Sequence, residues 1–434
     1  MDSEFKRRMT PSIALLVLAA LTPAEHDLEI IDENLNQLRS FDKCDLVGIT
    51  CNVDTFARAK ELSAAFRQRG CPVIFGGILP SSAPALASPH ADAICIGPAE
   101  QVWPRILSDA KEAKLKHTYE CPAPHSIARI PRPKWESIDV DKYLYTNVVS
   151  TSRGCPFACD FCYNSCSYMR HGYFRRPLQQ VLDEIDHLDT KQVLFVDDNF
   201  IGDKALVWQF LGAIKTRELT WHAAVSANIG NDLELFQAMA EAGCRSLYIG
   251  FESINARSLS NVNKGQNNVS AYNRTIKAIH DNGIMINASL AFGFDYDYPE
   301  VFANTLSWLI ENRIETMTSH ILTPYPGTRL YARLAAEKRI TDYDLSHYNT
   351  ANVVFAPKHM SAEELHLGYL QMYREFYSSR NIWKRRPLAR EQWMPYFLIN
   401  FGYRKFGGLT SRMRYRGNLN FLGKLARRLA YGIG

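Results

Sequence analysis

From Pro11 to about Ser108 short apolar runs alternate with longer amphipathic ones. The spacing predicts a helix over Ile13–Leu21 and strands at Leu28–Ile31, Leu46–Thr50, Val73–Phe75 and Ala93–Ile96, with helical runs such as Ala57–Arg69 between them. Strands alternating with helices, with glycine at the strand ends (Gly76, Gly77, Gly97), imply a doubly wound, mostly parallel, Rossmann-like sheet. The pattern then breaks. Residues 111–144 are rich in Lys, then in Pro, with little periodicity, and read as a linker.

A second alternating region covers 145–340. Strands are expected at Thr146–Thr151, Val193–Val196, His222–Ser226, Ser246–Phe251, Met285–Phe292 and His320–Thr323, each followed by a helical pattern. Six such units in a row predict a partial (β/α)6 barrel with its chemistry at the strand C-termini. Residues 341–434 are expected to be helical and basic, and 1–110 to form the first α/β domain.

Composition agrees with a globular α/β chain: 434 residues, 46% apolar and 22% charged. The net charge of +5 is unevenly spread. Residues 380–434 hold thirteen Lys and Arg against one acid, leaving the preceding 379 at −7. Basic residues there interleave with Trp383, Trp393, Phe397, Phe401 and Phe421, which suits a peripheral contact with an anionic membrane or packing over the acidic body. Nucleic acid is the poorer reading, since the aromatics form no stacking platform. Lys6, Arg7 and Arg8 before Ile13–Leu21 have the look of a secretory signal, but the run is too short to span a bilayer and leads straight into the strand-like Leu28–Asp32. A cytoplasmic chain is expected.

The chemistry concentrates in one loop. Behind the first strand of the second region stand Cys155, Cys159 and Cys162, spaced by three and then two residues behind Gly154. Three thiolates can hold an iron–sulfur cubane and leave one iron open; a closed zinc site would need Cys166 as fourth ligand. Placement at a strand end of the βα run favours the cubane.

This loop, with Phe161 before its last cysteine, resembles that of the radical S-adenosylmethionine (SAM) enzymes, and the resemblance covers about 145–340. It implies a 4Fe–4S cluster on Cys155, Cys159 and Cys162, SAM on the open iron, a 5′-deoxyadenosyl radical as product of SAM cleavage, and a reducing partner such as flavodoxin or ferredoxin. Cys166 is then a bystander. Other strand ends fit the same family. Asp198 and Asn199 stand where many members have Gly-Gly-Glu against the SAM amine, and an N-cap is the alternative for either. Ser226, Asn228 and Glu252 are candidates for the SAM carboxylate and ribose hydroxyls, with a structural ion pair as the alternative for Glu252. Leu290 and Gly293 are candidates for the adenine face.

Residues 11–108 resemble the cobalamin-binding domain that precedes the barrel in one radical SAM class, through Val47 to Thr50, the Gly76–Gly77 pair and Gly97 to Glu100. Thr50, Gly76 and Gly77 would border the cofactor. The cobalt-ligating Asp-x-His-x-x-Gly element and the usual leading strand are missing, so cobalamin without a protein histidine stands beside a scaffold that only roofs the barrel. The stretches around Asn352–Pro357 and Met360–Glu364 are similar to those of hopanoid methylase-like proteins. The expected reaction modifies an unactivated carbon of a lipid or natural product, by methylation or, in the rival reading, by cyclisation, group transfer or rearrangement. A non-enzymatic iron–sulfur or zinc protein is the outside alternative.

Overall fold

A computed structural model describes residues 10–35, 38, 42–121, 130–166, 173–412 and 428, with side chains described up to Gly402 and again at Arg428. Helix α1 (Ile13–Leu21) forms as its apolar run predicts. Leu28–Ile31 does not become a strand; Leu28 and Ile31 are exposed. A strand exists only through its ladder, and β1 (Val47–Thr50), the sheet edge it could have joined, runs without it.

β1 is followed by α2 (Phe56–Arg67), β2 (Val73–Gly76), β3 (Ala93–Ile96), α3 (Trp103–Lys111) and β4 (Thr118–Glu120). The four strands are parallel and adjacent in chain order. Alternate side chains serve opposite faces. Val73 and Phe75 pack under Phe56, Ala59 and Phe66 of α2, while Ile74, Ala93 and Cys95 pack under Trp103 and Ile106 of α3 and Leu18 of α1. Helices on both faces are what the strand–helix alternation implies. β4 corrects the expected linker: the sheet runs on into 111–144 as far as Glu120. The proline-rich stretch 122–129 lies outside the described residues, as do Lys6 to Arg8 and 413–427.

The second sheet joins β5 (Val148–Val149) to five further strands. An antiparallel pair, β6 (Ser152–Arg153) and β7 (Phe174–Arg175), precedes α4 (Leu178–Asp186). Then come β8 (Gln192–Phe195), α5 (Lys204–Ile214), β9 (Thr220–Ser226), α6 (Glu234–Glu241) and β10 (Cys244–Glu252). The barrel is completed by α7 (Ala256–Asn261), α8 (Tyr272–Asp281), β11 (Met285–Phe292), α9 (Val301–Glu311), β12 (Thr316–Ile321) and α10 (Arg329–Ala336). The order β5-β8-β9-β10-β11-β12, with every pair parallel, is the open six-stranded barrel read from the periodicity. β5 is shorter than expected. The chain leaves the sheet after Val149, where the backbone N–H groups of Thr151 and Ser152 bond to the Asp197 carboxylate instead.

Three helices follow: α11 (Ala362–Phe376), α12 (Ser379–Lys384) and α13 (Trp393–Arg412). The two sheets are joined by packing. Tyr325, Tyr331, Tyr348 and Val354, from α10 and its flanks, enter the apolar cluster of the first domain, and Arg153 pairs with Glu100 across the boundary. At Gly327 (φ +89°) a Cβ would lie 2.0 Å from the carbonyl oxygen of Ser82, so the two domains touch there at backbone distance.

Candidate active site

The cysteine loop leaves β6 and is held from two sides. The Asp160 N–H donates to the Val262 carbonyl at 2.9 Å, and the Asn263 amide donates to the Ala158 carbonyl at 3.1 Å. From α10, Arg329 donates to the Ala158 carbonyl at 2.7 Å, and the Leu330 N–H to that of Asp160 at 2.9 Å. The thiols of Cys155, Cys159 and Cys162 lie within electrostatic reach of one another. Burial pushes the Cys155 thiol up and that of Cys162 to about 12, so without metal these are thiols and a metal must displace their protons. No disulfide joins any of the ten cysteines. Among the described residues no group of three or more His, Cys, Asp or Glu is placed to hold a single metal ion. A cubane makes no such demand, because each thiolate binds its own iron. The donor set therefore fits a three-thiolate cluster. Cys166 is buried, and no four-ligand zinc site is formed around it.

The segment that grips this loop was not singled out from sequence. Lys264, 7% exposed, places its ammonium 2.8 Å from the Glu252 carboxylate and 5.7 Å from the centre of the Phe161 ring. Burial alone would lower its pKa, but its neighbours, the Glu252 carboxylate foremost, outweigh burial and raise it. The Gln266 amide donates to the Cys159 sulfur at 3.4 Å. The ion-pair alternative for Glu252 is thus realised, at a position still beside the cysteine loop.

At the neighbouring strand ends Asp197 is a structural group. It is buried and accepts from the N–H and hydroxyl groups of both Thr151 and Ser152. Asp198 accepts the Gly154 N–H at 3.0 Å and is hydrogen-bonded to the Asn164 side chain. Neither Asp198 nor Asn199 caps a helix, since Asp203 caps α5. Asn199 is buried and ties β8 to β9, accepting the Ser226 N–H at 3.2 Å and donating to the Ser226 hydroxyl at 3.3 Å. That hydroxyl donates in turn to Asn228. Asn199, Ser226 and Asn228 thus form one polar network.

Leu290 and Gly293, expected at the adenine face, are both engaged in packing. Leu290 is fully buried and shares the helix-facing side of β11 with Phe292, whose ring packs on Phe302 of α9. The opposite side carries Asn287 and Ser289, bonded to Thr318 and Tyr248 of the flanking strands. Gly293 (φ +101°) is needed for packing: a Cβ there would come 2.8 Å from Leu365 of α11. An apolar wall beside the cysteine loop comes instead from Phe294, edge-on to Phe161 at 6.4 Å.

At the C-terminal end of the first sheet Thr50 is exposed and a Cβ on Gly76 would meet no atom within 4 Å, so the backbone is uncrowded at this edge. Gly77 (φ +99°) has a local reason: a Cβ there would lie 2.8 Å from the Thr50 hydroxyl and 3.0 Å from the Cys51 carbonyl oxygen.

Residues 149–309 match the radical SAM superfamily, and residues 328–395 match a domain of unknown function. The chain is 28% identical to bacteriochlorophyllide d C-12(1)-methyltransferase of Chlorobaculum tepidum, over 90% of this chain and 88% of that one. It is 25% identical to hopanoid C-2 methylase of Rhodopseudomonas palustris, over 77% of this chain and 66% of that one. Its fold resembles that of the radical SAM methyltransferase TsrM from Kitasatospora setae, solved with cobalamin and a [4Fe–4S] cluster, with a TM-score of 0.67 at 16% identity over 98% of this chain and 99% of that one. It also resembles the cobalamin-dependent radical SAM enzyme OxsB, with a TM-score of 0.65 at 13% identity over 98% of this chain and 74% of that one. No helix among the described residues is long and apolar enough to cross a membrane. The cysteine loop, the six parallel strands and the superfamily match agree: residues 149–309 form a radical SAM domain, which implies an enzyme with a 4Fe–4S cluster and SAM.

Proposed function

We propose that this enzyme transfers a methyl group from SAM to an unactivated carbon of a tetrapyrrole or polycyclic lipid, with cobalamin at the end of the first sheet. The observation that carries the reading is the Glu100–Arg153 ion pair. Glu100 follows β3 and Arg153 stands two residues before Cys155, so the open strand ends of the first domain are tied to the cysteine loop. When bound, the cluster would supply the electron that opens one SAM, and cobalamin would supply a carrier for the methyl group of a second.

The chain's own residues do the holding. Cys155, Cys159 and Cys162 take three irons and leave the fourth for the amine and carboxylate of SAM. Asp198 offers carboxylate oxygens to the ammonium. Asn228 and Glu252 offer acceptors to the ribose hydroxyls, with Ser226 and Asn199 keeping Asn228 in place. Phe161 and Phe294 give the adenine an apolar wall and keep water from it. Thr50 and Gly76 leave space for the flat ring of cobalamin. The names of the similar methyltransferases support the substrate class, and an external flavodoxin or ferredoxin suits the electron supply.

The absence of an Asp-x-His-x-x-Gly element favours a second reading, radical chemistry without methyl transfer. The two part on one experiment. Protein reconstituted without oxygen with iron, sulfide and cobalamin is given methyl-deuterated SAM and either a bacteriochlorophyllide or a hopanoid. A product carrying the labelled methyl supports the proposal; cleavage of SAM with no labelled product from either acceptor supports the second reading.

A further inference from the structure

Helix α13 is inverted relative to an ordinary surface helix. Its polar Asn400 and the phenol of Tyr396 point inward: the Asn400 amide donates to the Glu315 carbonyl at 3.1 Å and its oxygen accepts from Arg385 at 3.2 Å, while Tyr396 donates to the Ile382 carbonyl. Both residues are buried. The outward side carries Met394, Leu398, Ile399 and Phe401, with Met394 56% exposed. Met394, Leu398 and Phe401 recur at the four- and three-residue steps of one helical face. Trp383 of α12, 55% exposed, extends this face by stacking on Phe397, which stacks on Phe401, each at 5.7 Å. Leu388, in the turn between the helices, is 81% exposed.

Cations rim this apolar face. Arg386 lies 4.9 Å over the Trp383 ring and Arg390 5.9 Å over that of Trp393, with Arg380 and Lys384 exposed beside them. Glu391 is the sole acid in 380–434. An apolar face that water should not wet, ringed by charges that are cationic apart from Glu391, has two physical demands: apolar burial and an anionic surround. A second copy of the chain meets them badly, because an isologous contact would bring the same cations face to face.

We infer that α12 and α13 form a docking face for an anionic lipid bilayer, with Trp383, Leu388, Met394, Leu398 and Phe401 entering the headgroup–acyl boundary and Lys384, Arg386 and Arg390 meeting lipid phosphates. Each term alone is weak, and together they hold a protein at a membrane reversibly. This inference stands apart from methyl transfer, and its test involves no SAM chemistry.

The test is sedimentation of the full-length chain with vesicles of phosphatidylcholine alone or of equal parts phosphatidylcholine and phosphatidylglycerol. The wild type should sediment with the mixed vesicles, release with salt and ignore the neutral ones. The double substitution Leu398→Asp and Phe401→Asp should weaken binding by about tenfold or more, because charges are unfavourable at that depth. A melting temperature taken beside the binding checks that the fold survives the two changes. Trp383→Ala, on the other helix, should act in the same direction. No binding to mixed vesicles, or binding untouched by these changes, overturns the inference. So does a wild-type dimer in solution that the double substitution turns into a monomer, which would assign the face to a second copy.

Discussion

The ammonium of Lys264 lies 2.8 Å from the carboxylate of Glu252, and the two close on the cysteine loop from the far side of β10. Both side chains are nearly excluded from water. Removing one partner leaves a buried charge uncompensated. Lys264→Met should therefore destabilise the metal-free protein by about 3–5 kcal/mol, read as a lower melting temperature, and Lys264→Met combined with Glu252→Leu should recover most of it. If Glu252 also holds ribose, the double variant should bind SAM more weakly by about 1–3 kcal/mol while the cluster absorbance survives. Unchanged SAM affinity would make Glu252 purely structural.

Replacing Cys155, Cys159 or Cys162 by Ala should abolish the brown absorbance and the iron, about four atoms per chain for a cubane, in protein prepared without oxygen. Cys166→Ala should leave both intact. Iron analysis beside zinc analysis decides it, and stoichiometric zinc with no iron would contradict the site.

The two glycines at the end of β2 should part company. Gly77→Ala forces a side chain into a left-handed backbone against Thr50 and Cys51, at a cost of about 1–3 kcal/mol, seen as a lower melting temperature whether or not cobalamin is present. Gly76→Leu starts from a Cβ that meets no atom within 4 Å, so stability should hold while cobalamin affinity falls, measured by absorbance titration. Equal cobalamin binding by Gly76→Leu and wild type would move that ligand elsewhere.

His280 supplies a pH signature. Burial would lower its pKa, but the Glu315 carboxylate 3.2 Å away outweighs burial and raises it. The folded state therefore binds the proton more tightly than the unfolded one. The added stability is complete below the ordinary imidazole value of 6.5 and is lost as pH rises through the raised native value. The melting temperature of His280→Gln should fall short of wild type by more at about pH 6 than at about pH 8; a constant gap would contradict the pairing.

Much of this was legible in the residues. The four middle barrel strands, β8 to β11, were readable from their apolar runs between amphipathic helices, whereas β12 begins four residues before the expected His320–Thr323 because its alternating Thr, Ser and His disguise it; the cysteine spacing named its own chemistry. β4 was not, because Thr118-Tyr-Glu120 is short and polar and becomes a strand only by pairing with β3. Leu28–Ile31 failed for the converse reason, having strand composition and no partner. Leu290 was misplaced because its apolar neighbours hid the alternation that Asn287 and Ser289 reveal. Lys264 and Gln266 sit in a polar, aperiodic stretch, and only the turn after α7 brings them to the cysteines. The Glu100–Arg153 pair joins residues 53 positions apart in different domains, which no local pattern encodes.

The central claim is that the two domains act together in methyl transfer, and the products of SAM turnover test it most directly. The anaerobically reconstituted protein, loaded with cobalamin and given a reductant, SAM and an acceptor, should yield both 5′-deoxyadenosine and S-adenosylhomocysteine, and Cys159→Ala should lose the 5′-deoxyadenosine. 5′-Deoxyadenosine with no S-adenosylhomocysteine would contradict methyl transfer and leave a radical enzyme of another reaction class.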